Sequence, residues 1–228
     1  MRWTVHTERE IHDTPWVRLR ALDVEQPDGT RTDYHVVRLR DVAVTAAVDE
    51  GADGGRRVLM MWRHRFVTDT WAWELPMGLV EDGEEPARAA ARELEEETGW
   101  RPGTLRELVY AEPAAGITDA RHFVFRTDDA ARAGDPTERN ESDRLEWIPL
   151  SRIGGMIARR EIVSSATLVG VMALLLDVGP AAGCDGRRPG AGGGGRRVAP
   201  GAAGAEGRQA VMSFVVNRAH AAEPKTAA

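Results

Sequence analysis

Cysteine is almost absent: the 228 residues contain one, Cys184, in a Gly-rich stretch. That excludes a disulfide framework within a single chain, fits a reducing cytoplasm, and leaves a thiol expected to be inert. Long apolar runs are also missing. The longest, residues 166–176, is shorter than the roughly 20 residues a bilayer-spanning helix needs. The opening Met-Arg-Trp-Thr-Val-His-Thr-Glu-Arg-Glu has no apolar core of the kind that defines a secretory signal, so none is expected. No block of basic residues occurs and the formal net charge is −6. An acidic surplus repels a long phosphate backbone, so neither nucleic acid nor membrane is expected as a partner. There is no internal repeat. These absences leave one ordinary domain with additions, expected in the cytoplasm.

What is present is a spaced set of residues between Gly78 and Trp100. Gly78 is followed by five residues and Glu84, then seven residues and Arg92-Glu93-Leu94-Glu95-Glu96-Glu97-Thr98-Gly99-Trp100. The Ala-rich stretch from Pro86 to Thr98 reads as a helix, with Pro favoured in its first turn and Gly99 free to take the left-handed stop. On such a helix Glu93, Glu96 and Glu97 stand at i, i+3 and i+4 and share a face. Like charges there repel by a few tenths of a kcal/mol per pair, at order of magnitude. A divalent cation removes that repulsion, and hard carboxylate oxygens suit Mg2+, with Mn2+ as the alternative. Arg92 can hold carboxylates in a planar fork. Glu84 can close back onto the helix from the preceding loop.

An isolated Glu-Leu-Glu-Glu-Glu run is most simply a solvated charged face. That explanation leaves Gly78, Glu84 and Gly99 without a role. Seven fixed positions, each at roughly 5–10% frequency, coincide by chance on the order of once in 10^8 windows. Glu95 points away from the other three and reads as a solvated charge.

The pattern resembles the Nudix box, with every fixed position filled. The resemblance implies metal-assisted hydrolysis of a diphosphate that links a nucleoside to another group X. It implies Glu93 and Glu97 as direct metal ligands, with Glu96 contributing directly or through water. It also implies a ligand from the backbone carbonyl of Met77, Arg92 as the residue that orients the carboxylates, and Gly78 beside the substrate. Glu84 and Gly99 would be structural supports.

Three segments are expected. Residues 1–40 read as β structure, with strands at 16–24 and 32–38 around the turn Pro27-Asp28-Gly29. Residues 41–177 alternate strands with the box helix and end in two helices, 151–160 and 161–177, the first weakened by Gly154-Gly155. Residues 178–228, rich in Gly, Ala and Arg, are expected to be disordered because they offer too little apolar area to offset ordering entropy. The fold class is α/β: strands on both sides of one helix point to a mixed sheet sandwiched by helices. This is the α/β/α sandwich that the Nudix resemblance implies.

Outside the box, several stretches resemble the ADP-ribose pyrophosphatase and nucleotide-sugar hydrolase branch: the N-terminal β segment, which in that branch helps build a homodimer, Val58 to Arg65, Trp73 to Gly78, and Asn140 to Leu150. By that resemblance Arg65, and less strongly Arg63, contact substrate, while Glu141 serves as general base with Asp143 as second choice. Trp16 is expected to pack in a core, and Trp71 and Trp73 to be core or sheet-edge residues. The segment Glu112 to Arg121 departs from the branch: Ala115 replaces an expected Pro and Ala120 an expected Glu. ADP-ribose itself is thereby weakened as the substrate, and another nucleotide-type small molecule stays open. Two rival readings are hydrolysis of non-standard nucleoside triphosphates and a non-catalytic ligand sensor.

Overall fold

The computed structural model describes residues 1–138 and 142–178. Chain order runs β1 (Thr4–Asp13), β2 (Arg18–Glu25), β3 (Arg31–Arg38), β4 (Val42–Glu50), β5 (Arg56–Arg65), β6 (Thr70–Glu74), β7 (Met77–Leu79), α1 (Pro86–Thr98), β8 (Trp100–Arg101), β9 (Arg106–Ala111), β10 (His122–Thr127), β11 (Ala131–Arg132), β12 (Arg144–Pro149), α2 (Leu150–Ala158) and α3 (Ser165–Leu175). The strands β1, β2 and β3 form an antiparallel meander. A seven-stranded sheet follows in the order β12-β5-β4-β10-β9, with β6 pairing β5 and β7 pairing β4. β10 runs parallel to β4 and the other pairs are antiparallel, so the sheet is mixed as expected.

Alternation along β4 places the helices. Val44, Ala46 and Val48 face a core shared with Val58, Met60, Leu75, Ile148, Ile153, Val171 and Leu174, which covers the α2 and α3 side. Ala43 and Ala47 face the other way, toward α1. Period-two alternation requires this division. Where α1 meets β4 the residues are small, with Phe123, Phe125 and Leu59 on the flanking strands: Ala43 meets Ala89 and Ala90, and the Thr45 hydroxyl donates to the Ala90 carbonyl at 2.9 Å. With so little side chain between them, the helix and sheet lie close together. The box carboxylates are thus carried on a helix seated tightly against β4.

The helices expected near the end of the chain are α2 and α3. Gly154 and Gly155 lie within α2 without breaking it, since Ile153 and Met156 anchor that turn in the core. Among the described residues no helix is long and apolar enough to cross a membrane. Residues 179–228, expected to be disordered, lie outside the described residues.

One expectation is corrected. Trp16 is not core; it is 56% exposed in the turn between β1 and β2, where the Thr14 side chain and backbone bind Val17. The small sheet supplies no second layer there to cover it. Glu95 lies at the surface outside the carboxylate cluster, as expected, and is paired there with Arg101 through hydrogen bonds of 2.6 and 2.8 Å. Trp73 is buried, while Trp71 stands half-exposed on β6, stacked against Trp62.

The meander also fixes the segment that departs from the ADP-ribose pattern. The Val37 N–H donates to the Ile117 carbonyl at 2.8 Å, the Tyr34 hydroxyl donates to the Gly116 carbonyl, and Arg38 pairs with Asp119 at 3.3 Å. Ala120 is buried beside this seam.

Candidate active site

The box helix starts with Pro86 in its first turn and stops at Gly99, which adopts φ +71°. A Cβ at Gly99 would lie 2.2 Å from the Gly134 carbonyl oxygen. Only glycine combines that backbone angle with so close a neighbour. The closeness is functional in layout: the Gly99 carbonyl accepts the N–H groups of Ala133 and Gly134, and the Glu96 carbonyl accepts those of Thr137 and Glu138. Carbonyls at the end of a helix lack intrahelical partners. Here the segment 133–138 satisfies two of them and so is bound to the end of α1.

That binding brings in a residue the sequence reading missed. Glu93, Glu97 and Glu138 each offer a carboxylate oxygen within 4.8 Å of the others. Three hard oxygen ligands this close fit Mg2+ or Mn2+, which commonly bind through a few carboxylates and complete their shell with water and phosphate. The donor chemistry therefore matches the divalent ion that the box implies. Glu96 is not in this group. It faces Arg92, whose guanidinium reaches Glu93 at 2.7 Å, Glu96 at 3.0 Å and Glu84 at 3.1 Å, and also the Leu79 carbonyl. Glu84 in addition accepts the Glu81 N–H, so the loop before α1 closes onto the helix through a single arginine. These bonds raise the pKa of Arg92 above its ordinary value, led by the hydrogen bond to Glu84, and hold that of Glu84 below the usual carboxylate range.

Gly78 lies against Glu93. A Cβ there would sit 1.9 Å from the Glu93 carboxyl carbon, so the missing side chain makes room for that carboxylate. Beside it, the Met77 N–H donates to Glu97 at 2.9 Å. Glu97 is 2% exposed. Its other oxygen accepts from Arg63 at 2.9 Å, and Arg63 is itself buried on β5. Arg65, two residues along the same strand face, remains half-exposed and binds Glu74 through Nε at 3.1 Å and Nη2 at 2.6 Å. Of the expected site residues, the structure brings together Met77, Gly78, Glu84, Arg92, Glu93, Glu96, Glu97 and Arg63, with Arg65 reached through Glu74. Asp143 immediately precedes β12, with its N–H on the Trp62 carbonyl. Glu141 lies outside the described residues.

Burial pushes the Glu97 carboxyl up to about 8, and neighbouring Glu93 adds to the rise, against the opposing pull of Arg63 and the Met77 N–H. Burial raises Glu93 as well. In the metal-free protein, folded Glu97 therefore keeps a proton that the unfolded chain releases near its ordinary value of 4.5. A state that binds more protons loses stability as pH rises. Metal-free stability should fall between about pH 4.5 and 8 on this account. A divalent cation takes the place of that proton, so the rise in Tm on adding Mg2+ should be larger at pH 8.5 than at pH 6. Thermal melts at both pH values, with Mg2+ and with a chelator, check this; an equal shift at the two would contradict it.

Residues 38–166 match the family model described as NUDIX domain, and residues 3–37 match the Nucleoside diphosphate sugar hydrolase N-terminal domain. The chain is 42% identical over 175 residues to the CMP-5'-(N-acetyl-N-hydroxy-3-aminopropyl)phosphonate hydrolase of Streptomyces rubellomurinus, covering 77% of this chain and 83% of that protein. It is 29% identical over 167 residues to the ADP-ribose pyrophosphatase of Mycobacterium tuberculosis, covering 72% and 79%. It is 30% identical over 163 residues to the ADP-sugar pyrophosphatase of Mus musculus, covering 65% and 73%. A solved structure of an ADP compounds hydrolase shares the fold, with a TM-score of 0.66 at 16% identity, over 77% of this chain and 94% of the other.

Proposed function

Because this chain belongs to the Nudix hydrolase family and cleaves substrates of the nucleoside diphosphate-X type, we propose that it is a Mg2+-dependent enzyme whose substrate joins a nucleoside monophosphate, through a P–O–P anhydride, to a sugar phosphate or a phosphonate. The observation that carries the reading is the clustering of Glu93, Glu97 and Glu138 on an intact box. A bound divalent cation supplies charge neutralisation at the phosphoryl oxygens. The chain's own residues do the rest. Glu93, Glu97 and Glu138 would hold the ion, with Glu96, directly or through water, and the Met77 carbonyl as further ligands. Arg92 keeps the carboxylates in register, supported by Glu84. Arg65 grips a phosphoryl oxygen, and Gly78 leaves room for the substrate beside Glu93. Glu141, three residues beyond Glu138, takes the proton of the attacking water. Water adds to phosphorus as the bridging P–O bond breaks, giving a nucleoside monophosphate and a phosphorylated or phosphonic acid product.

Two observations favour including a phosphonate. The relative at 42% identity is named for one. Ala115 and Ala120 depart from the ADP-ribose pattern in a segment held by the meander. We further take the chain to be a cytoplasmic homodimer that uses neither nucleic acid nor membrane, organised as segments 1–40, 41–177 and 178–228. The low cysteine content, the acidic balance and the exposed Trp3, Val5, Ile11 and Trp16 of the meander support this.

The test is nucleoside monophosphate release, followed by chromatography, from ADP-ribose, ADP-, CDP- and UDP-sugars, a CMP-phosphonate anhydride and several nucleoside triphosphates. Turnover at least about 100-fold faster on one diphosphate-X class than on any triphosphate is expected, since a dedicated site discriminates by several contacts at once. A preference for triphosphates would overturn the substrate class. Folded, metal-binding protein that turns over nothing would instead indicate a ligand sensor.

A further inference from the structure

We infer that Glu74 is a positioning residue that serves both halves of the site, the arginine offered to the substrate and the carboxylate offered to the metal. The inference rests on the functional reading above, in which Glu97 holds metal and Arg65 holds substrate. Glu74 closes β6 immediately before Leu75, and its side chain lies in the sheet next to β5. It is 3% exposed. A buried carboxylate needs partners, and this one has two arginines. Arg65 offers its Nε and Nη2 edge at 3.1 and 2.6 Å, and Arg63 Nε lies 4.0 Å away. Arg63 in turn bonds Glu97 at 2.9 Å. The result is an alternating row, Arg65–Glu74–Arg63–Glu97, that runs from a half-exposed guanidinium to a buried box carboxylate.

Each link has a consequence. A guanidinium has five N–H donors in a fixed fork. With Nε and Nη2 taken by Glu74, the Arg65 plane is set and its Nη1, which makes no hydrogen bond among the described residues, is left to meet an anionic group. At the other end, Arg63 fixes one oxygen of Glu97 while the Met77 N–H fixes the other. Carboxylate oxygens keep a second lone pair, so both can still meet a cation. Without Glu74, Arg65 would regain its torsional freedom, and Arg63 would lose the carboxylate beside its Nε that competes with Glu97 and would draw on Glu97 more strongly.

The experiment compares Glu74→Gln, Arg65→Met and the double variant in KM, kcat and Mn2+ dissociation constant. The last is read by electron paramagnetic resonance without substrate. Arg65→Met should raise KM about tenfold and leave Mn2+ binding unchanged, in line with loss of one charge-assisted bond to substrate. Glu74→Gln should raise KM similarly and also change the Mn2+ dissociation constant about fivefold or more. The double variant should show no further rise in KM, because both changes remove the same grip. Folded Glu74→Gln with KM and Mn2+ binding within about twofold of wild type would overturn the inference, whatever its Tm. If Glu74→Gln does not fold, Glu74→Asp keeps the charge and shortens the reach, and the same two shifts, smaller in size, are expected. Wild-type values in Glu74→Asp would overturn it equally. Failure of the functional reading looks different: the wild type itself would turn over no diphosphate-X substrate.

Discussion

Glu97→Gln is expected to lower kcat by about a thousandfold or more with Mg2+, because it removes an anionic ligand from the charge that the reaction needs. The fold should survive. The glutamine oxygen can still accept the Met77 N–H, and Arg63, which loses its partner at 2.9 Å, still has the Glu74 carboxylate 4.0 Å from its Nε. Removing one member of a buried ion pair normally costs roughly 3–5 kcal/mol. Here that cost is reduced, because native Glu97 keeps its proton up to about 8 and is not a full anion at neutral pH without metal. The measurement is steady-state turnover alongside a thermal melt. A near-normal rate in a protein with native Tm would remove Glu97 from the metal site.

The second large effect is expected at Gly99, where no charge is involved. Gly99→Ala forces a side chain into φ +71° and drives its Cβ to 2.2 Å from the Gly134 carbonyl oxygen. The neighbour is backbone, so it cannot swing aside as a side chain would. The left-handed conformation alone costs a non-glycine residue about 1–2 kcal/mol, and displacing the 133–138 segment adds to it. We expect a total loss of about 2–4 kcal/mol in denaturant midpoint analysis, which is within the range for strain at a special backbone position. Activity at low Mg2+ should fall further than stability does, since Glu138 is carried by that segment. Excess Mg2+ should recover part of the loss. A stability change under about 0.5 kcal/mol, typical of an ordinary surface substitution, would contradict the account.

The box was legible in the sequence because its chemistry is local. Glu93, Glu96 and Glu97 fall on one helix face by periodicity alone, Pro86 and Gly99 mark its ends, and the spacing of Gly78 and Glu84 needs no tertiary knowledge. The mixed sheet was legible for a similar reason, since its strands alternate or run apolar between turn residues. Glu138 was not legible. It enters the cluster because backbone N–H groups at 137 and 138 find the Glu96 carbonyl, and a backbone-to-backbone bond leaves no mark on residue identity. The roles of Arg63 and Arg65 were hidden for another reason. Both are arginines on one strand face, and only the positions of Glu74 and Glu97 decide that Arg63 is enclosed and Arg65 remains at the surface. Trp16 was misjudged because a large aromatic ring usually packs inside, whereas the turn between β1 and β2 lies where, among the described residues, nothing packs over the ring.

The seam between β3 and residues 116–119 crosses the point, between residues 37 and 38, at which the two family models meet. A boundary in sequence descent is therefore not a boundary in packing. A fragment beginning at residue 38 would leave the Gly116 and Ile117 carbonyls without the Tyr34 hydroxyl and the Val37 N–H that hold them, and Arg38 alone would keep its hold on Asp119. The segment that departs from the ADP-ribose pattern would then be loosened, although nothing in the box had been touched. Substitutions among residues 31–38 can accordingly shift the 116–119 segment from outside the seven-stranded sheet.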